Sequence, residues 1–187
     1  MKDELLIKGI LKADQRCFKE LVDKYQSLVL NTCNSFLHSK NDAEDITQEV
    51  FIEVYLSIHK FRGEAKLSTW LYRISVNKSL NFIRNNSKII KNFENLFAAE
   101  QINKILDNSS LYSDIEDIQD EKIELLHKSI NTLAKNQKIA FTLSKFENLS
   151  YVQISEVMNL SLASVEGLIH RAKMNVQKKI LNFYKKK

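Results

Sequence analysis

The sequence predicts an all-α protein of two small helical domains joined by a linker, and three observations predict it. Proline is absent and glycine occurs three times in 187 residues, so hairpins and sharp reversals have few residues to build on. Apolar side chains recur mostly at spacings of three, four and seven, the period of a helix face rather than of a strand. Two such periodic stretches are separated by a segment of Asn, Ser and acidic residues in which the period fades.

The first stretch carries Leu5, Leu6, Ile10, Leu11, Phe18, Leu21, Val22, Tyr25, Leu28, Val29 and Phe36 at helical spacing. After a break at 38–41, Ala43, Ile46, Val50 and Val54 mark one face of a further helix, with Asp42 as its expected N-cap. The segment 61–66 contains Gly63 and reads as a loop, after which Ser68 or Thr69 can cap a helix reaching about Asn85. Residues 1–88 form the first expected domain, 89–120 the linker, acidic in its second half, and 121–187 the second domain. In the latter, Ser150 and Gln153 stand in capping-box register ahead of Tyr151, Ile154, Val157 and Met158. Asn159 can end that short helix in the left-handed conformation, and Ser161 can cap the next, whose Val165, Ile169, Ala172 and Val176 would face inward. Two short helices around a tight turn describe a helix-turn-helix, although helical hairpins of ordinary cores share the pattern.

Charge is distributed in blocks. Residues 1–59 carry a net −3, 60–91 a net +7, 92–127 a net −7 and 128–187 a net +8, within a total of +5. Every charge from Asp42 to Glu53 is acidic, whereas 60–91 holds eight cations against Glu64 alone. Two basic blocks separated by acidic sequence suit a polyanion bound at two places, each cation meeting a phosphate; solvated helix faces would look similar for either block alone. The acidic run between Asp107 and Glu124 reads as a solvated spacer or as a segment that mimics or repels nucleic acid.

Composition excludes several classes. No apolar run approaches the roughly 18 residues of a spanning helix, and the N-terminus lacks the apolar core of a secretory signal, so no membrane insertion and a cytoplasmic protein are expected. Cys17 and Cys33 have no CxxC spacing, and His38, His59, His127 and His170 are scattered; neither metal nor cofactor is expected. No phosphate-binding glycine loop or nucleophile motif occurs, which argues against an enzyme.

The two halves together resemble the sigma-70 family of bacterial transcription initiation factors, specifically its extracytoplasmic-function type. The first half carries Phe18-x-x-Leu21-x-x-x-Tyr25, Asp42-Ala43-Glu44-Asp45-Ile46-x-Gln48-Glu49-Val50-Phe51, Phe61-Arg62, and Ser68-Thr69-Trp70-Leu71-Tyr72-Arg73-Ile74 followed by Asn77. The second half carries Asn148-Leu149-Ser150-Tyr151-x-x-Ile154-Ser155-Glu156, Ser161-x-x-Ser164-Val165 and His170-Arg171-Ala172. Their order and spacing resemble region 2 and region 4 of that family.

The resemblance implies a factor that binds core RNA polymerase, directs it to promoters through the minus-10 and minus-35 elements, and helps melt the DNA. By this likeness Asp42, Asp45, Gln48, Glu49 and Glu53 would dock on the clamp coiled coil of the polymerase. Lys60, Arg62, Lys66, Arg73, Asn77, Lys78, Asn81 and Arg84 would engage the minus-10 element and its displaced strand, with the loop 61–67 helping to hold a flipped base. Trp70 and Tyr72 fit either core packing or DNA. Leu162, Ala163, Ser164, Glu166, Gly167, His170, Arg171 and Lys173 would lie toward the minus-35 element. Anti-sigma factors hold many family members inactive, and the linker leaves room for such a partner. The chain departs from the family at Leu133-Ala134, where Leu-Pro is usual, at Asn159, where glycine is common, and at Glu166 and Leu168, where basic residues are frequent. The alternative is a two-domain helix-turn-helix regulator that binds duplex DNA without polymerase; it leaves the acidic-then-basic order of 42–91 without a reason.

Overall fold

The computed structural model describes residues 2–96 and 117–185, which form eight α-helices and one 3-10 turn, with no strand among them. The first periodic stretch is two helices, α1 (Asp3–Leu11) and α2 (Gln15–Leu37). Between them Ala13 takes a left-handed φ of 61°, and the Asp14 carboxylate accepts a hydrogen bond from the Arg16 N–H at 2.9 Å, capping α2. The helices meet at Gly9, where an added Cβ would overlap the sulfur of Cys17 on α2. Gly9→Ala should therefore overpack this contact at a cost of about 1–3 kcal/mol. Thermal unfolding followed by circular dichroism should show a midpoint lowered by roughly 2–10 °C; an unchanged midpoint would mean that Cys17 swings clear without strain.

Helix α3 (Lys40–Ser57) is capped by Ser39 rather than by the expected Asp42. Ser39 is extended at φ −133°, and its hydroxyl accepts from the Asp42 N–H; Asp42 is the third helical residue, where its charge complements the helix dipole. A 3-10 turn (Ile58–Lys60) and the expected loop follow, with Gly63 at φ 73°. Helix α4 (Leu67–Leu96) starts ahead of Ser68 and Thr69, so neither is its cap: both lie in its first turn, and Thr69 is buried. The helix also runs past Asn85. The part of the proposed linker at 97–116, with its first acidic residues, lies outside the described residues.

The second half contains α5 (Asp117–Asn131), α6 (Lys135–Lys145), α7 (Tyr151–Met158) and α8 (Leu162–Tyr184). Both halves of the capping box at Ser150 and Gln153 are formed, Asn159 ends α7 in the left-handed region at φ 53°, and the Ser161 hydroxyl accepts from the Ser164 N–H. Val165, Ile169, Ala172 and Val176 are the buried residues of α8, as their spacing predicts.

Three apolar clusters hold the fold. Leu6, Leu21, Val29, Cys33, Ile46, Val50, Val54, Leu67 and Leu71 anchor the first, among α1–α4. Ile130, Leu133, Phe141, Ala172 and Val176 form another, among α5, α6 and α8. The remaining cluster joins the halves: Phe36 of α2 and Val76 of α4 pack with Ile139, Ala140 and Leu143 of α6, Ile154 and Val157 of α7, and Val165 and Ile169 of α8. Both cysteines are free, Cys33 in the core and Cys17 half-buried. No helix among the described residues is long and apolar enough to cross a membrane.

Candidate protein and nucleic-acid interfaces

The acidic face follows from the registry of α3. Ala43, Ile46, Thr47, Val50 and Val54 are buried, so Asp45, Gln48 and Glu49 point away from the core and are exposed, while Asp42 and Glu53 flank them half-buried. The same outer stripe continues into side chains that sequence reasoning missed. Ile52 is 60%, Tyr55 44% and Leu56 64% exposed. With Gln15, Phe18 and Phe51, these three line a shallow groove of about 490 Å³, and the Phe18 and Tyr55 rings meet edge to face at 5.0 Å. The signal was present in the run from Phe51 to Leu56, which holds more apolar residues than one buried face of a helix can absorb.

The eight basic-block residues do not share one environment. Lys60, Arg62 and Lys66 of the turn and loop, and Asn77, Asn81 and Arg84 of α4, are exposed; Arg62 lies 3.8 Å from Glu64 in a contact both of whose side chains are over three-quarters exposed. Lys78 instead turns toward the acidic face, with its ammonium 3.6 Å from Glu49 and 3.8 Å from Glu53. Two residue sets assigned to different partners are thus joined through one side chain. Arg73 is also engaged: Nε donates to the Val157 carbonyl at 3.0 Å and Nη2 to the Glu156 carbonyl at 2.5 Å. These carbonyls lie near the C-terminus of α7, the partially negative end of its dipole. Arg73 and Asn77, with Glu64, Asn136, Asn159 and Leu160, line a cleft of about 630 Å³ between the two halves. Trp70 is half-buried against the first core with its ring 5.4 Å from that of Phe61, and Tyr72 packs into the cluster joining the halves.

On α8, Leu162, Ala163, Ser164, Glu166, His170, Arg171 and Lys173 are exposed. Gly167 is half-buried beneath the Arg171 guanidinium, whose Nη1 would stand 3.2 Å from an added Cβ. All eight sit on the first three turns of the helix and off its buried stripe, so the structure brings this set onto one open surface. Such a helix can enter a major groove. No group of three or more His, Cys, Asp or Glu that could hold a metal ion occurs among the described residues.

Contacts across the halves were not legible from sequence. Glu147, following α6, accepts from Ser35 Oγ at 2.5 Å and from Thr32 Oγ1 at 3.4 Å, and burial raises its pKa despite these donors. Nearby, the His38 and His127 rings are apposed with centroids 3.7 Å apart.

Comparison with known proteins places both halves. Residues 21–89 match the family model for sigma-70 region 2, and residues 123–176 match that for sigma-70 region 4. The chain is 32% identical over 185 residues to the ECF RNA polymerase sigma-E factor of Haemophilus influenzae, covering 96% of each chain. It is 31% identical over 182 residues to the RNA polymerase sigma-H factor of Pseudomonas aeruginosa, covering 95% of this chain and 93% of that one. Among solved structures it shares a fold, at 17% identity and a TM-score of 0.58, with the sigma factor RpoE in complex with the anti-sigma factor NepR from Bartonella quintana, over 87% of this chain and 96% of that one.

Proposed function

The chain belongs to the sigma-70 family, on its extracytoplasmic-function branch, and from that premise we infer how its surfaces divide the work of transcription initiation. It is a transcription initiation factor that binds core RNA polymerase and directs it to promoters. The observation that carries this is the occurrence of both family regions, in order, on a chain that aligns with a sigma-E factor over 96% of both lengths.

The residue assignments are our reading. The outer stripe of α3, with Asp42, Asp45, Gln48, Glu49 and Glu53, meets a basic helical element of the polymerase, and Ile52, Tyr55 and Leu56 extend that contact with apolar surface. Lys60, Arg62, Lys66, Asn77, Asn81 and Arg84 line the path of the minus-10 strand, which they hold through its backbone while the bases unstack. Arg73 and Lys78 join them once their contacts within the chain are released. The start of α8 reads the minus-35 duplex; with Glu166 and Leu168 there, Arg171 and Lys173 carry the phosphate contacts and Ser164, beside the Ser161 cap, is the first polar residue within the helix. The factor has no catalytic role of its own, works in the cytoplasm where the polymerase acts, and is a candidate for control by an anti-sigma partner. We place the domain division at 1–88 and 121–187.

Reconstitution with bacterial core polymerase tests the reading. Expected results are co-elution with core and transcripts starting at defined promoters from a genomic template. Failure to bind core, with binding of duplex DNA by the isolated chain, would transfer the function to the two-domain regulator.

A further inference from the structure

We infer that the face between the two halves is an acid-sensitive closure, in which the apposed imidazoles of His38 and His127 permit packing only while neutral and the packed state withholds Arg73 from DNA. The role given to Arg73 rests on the function proposed above; the closure itself does not.

His38 ends α2 of the first half in the left-handed conformation at φ 58°, and His127 stands on α5 of the second. Their centroids are 3.7 Å apart, and the buried His38 Nε2 and His127 Nδ1 have no hydrogen-bond partner among the described residues. An imidazole proton on either atom would be buried and unpaired, which costs far more than burying the neutral ring. The neighbouring charges act in the same direction. Beyond the two rings, the group that bears on this pair is Lys138 of α6, buried, with its ammonium donating to Asn131 Oδ1 at 2.6 Å. Burial first, then His127 and Lys138, push the His38 pKa down to about 4, and burial and Lys138 lower that of His127.

The direction of the effect follows. In an open state both histidines return toward an ordinary value near 6.5, so the open state binds more protons and the closed-to-open ratio reaches its plateau above that pH. As pH falls from about 6.5 toward 4, the closed-to-open ratio drops about tenfold per unit from His38, with His127 adding to it. Glu147 works in the opposite sense: its raised pKa means that its protonation favours closure as pH falls into the carboxylate range. Tyr72, whose pKa burial and Glu147 raise, stays neutral throughout. The consequence of opening is local, because the two carbonyls that hold Arg73 belong to the second half.

The experiment is single-molecule energy transfer on the full chain, labelled at Gln26→Cys and Lys178→Cys after Cys17→Ser and Cys33→Ala, with and without His38→Asn/His127→Phe. Asparagine tolerates the left-handed position at 38 and phenylalanine keeps an aromatic ring at 127, so the variant removes protonation with little change of volume. Between pH 7.5 and 5.5 the open-to-closed ratio should rise about tenfold or more in the parent and less than twofold in the double variant. Repeating the titration with Glu147→Gln should steepen the parent response below pH 5.5. Equal responses in parent and variant would overturn the inference. So would the absence of an open population at both pH values, or a loss of helical circular dichroism in the parent alone. Initiation by both proteins with core polymerase at pH 7.5 is scored separately, so a failure there counts against the proposed function and not against the closure.

Discussion

Replacing Asp45, Gln48 and Glu49 together by alanine should abolish co-elution with core polymerase and promoter-specific transcription while leaving the protein folded. The three side chains are exposed on α3 and contribute nothing to the buried stripe, so the core below them is untouched. Their one ion pair within the described residues is that of Glu49 with Lys78, and Lys78 keeps Glu53 at 3.8 Å when Glu49 is lost. A pair so exposed is worth at most about 1 kcal/mol, and the melting midpoint should move by no more than a few degrees. In the assignment proposed above, the same groups form the middle of the face that docks on the polymerase. Truncating one side of a desolvated charge pair there costs about 2–5 kcal/mol and leaves the opposing charge unpaired, so three truncations should weaken core binding more than 100-fold. Removing two carboxylates elsewhere, with Glu4→Ala/Asp23→Ala on the exposed faces of α1 and α2, controls for net charge. Equal loss in the control would mean that the acidic charge acts only at long range.

What the sequence discloses and what it hides divide by the reach of the interaction. Ser150, Gln153, Asn159 and Ser161 were legible because capping is settled within four residues, and Val165, Ile169, Ala172 and Val176 because a helix repeats its buried face. Ser39 and Asp42 are both good capping residues three apart; the choice between them depends on which takes the extended conformation, and no local rule decides that. The break at 12–14 is hidden in the sequence because Ala13 occupies a left-handed conformation that alanine disfavours by about 1–2 kcal/mol, so tertiary packing and the Asp14 cap impose it against local preference. Arg73, Glu147 and His38 find partners more than 80 residues away in sequence. Nothing in their neighbours announces those contacts.

That division bears on function. Of the eight candidates in the basic block the structure leaves six exposed, whereas Arg73 and Lys78 are half-buried and each is engaged by another part of the chain. A cation already held within the protein adds to DNA affinity only after that contact is broken, so its net contribution is smaller than that of an open one. The eight candidates in the basic block are therefore unequal, and the inequality can be measured.

Alanine at Lys60, Arg62, Lys66 and Arg84 together should lower holoenzyme affinity for a pre-melted promoter by 100-fold or more near physiological salt and suppress open-complex formation, with core binding unchanged. All four are exposed, and the Arg62 contact with Glu64 lies in solvent where it holds the guanidinium weakly. Each phosphate contact releases condensed counterions, contributing about 0.7 to the slope of log affinity against log salt on single strands and about 0.9 on duplex. Losing four contacts should flatten that slope by about 3, a change that a fold defect would not produce in a protein that still binds core. Alanine at Arg73 and Lys78 should lower the affinity by less per residue than the first set, because each removal also relieves the cost of breaking an internal bond. Filter binding of reconstituted holoenzyme across 50–300 mM salt measures both variants. A slope unchanged by the first set would place the melted strand elsewhere on the protein; an equal loss of affinity per residue in both sets would mean that the two internal contacts are already open when polymerase is bound.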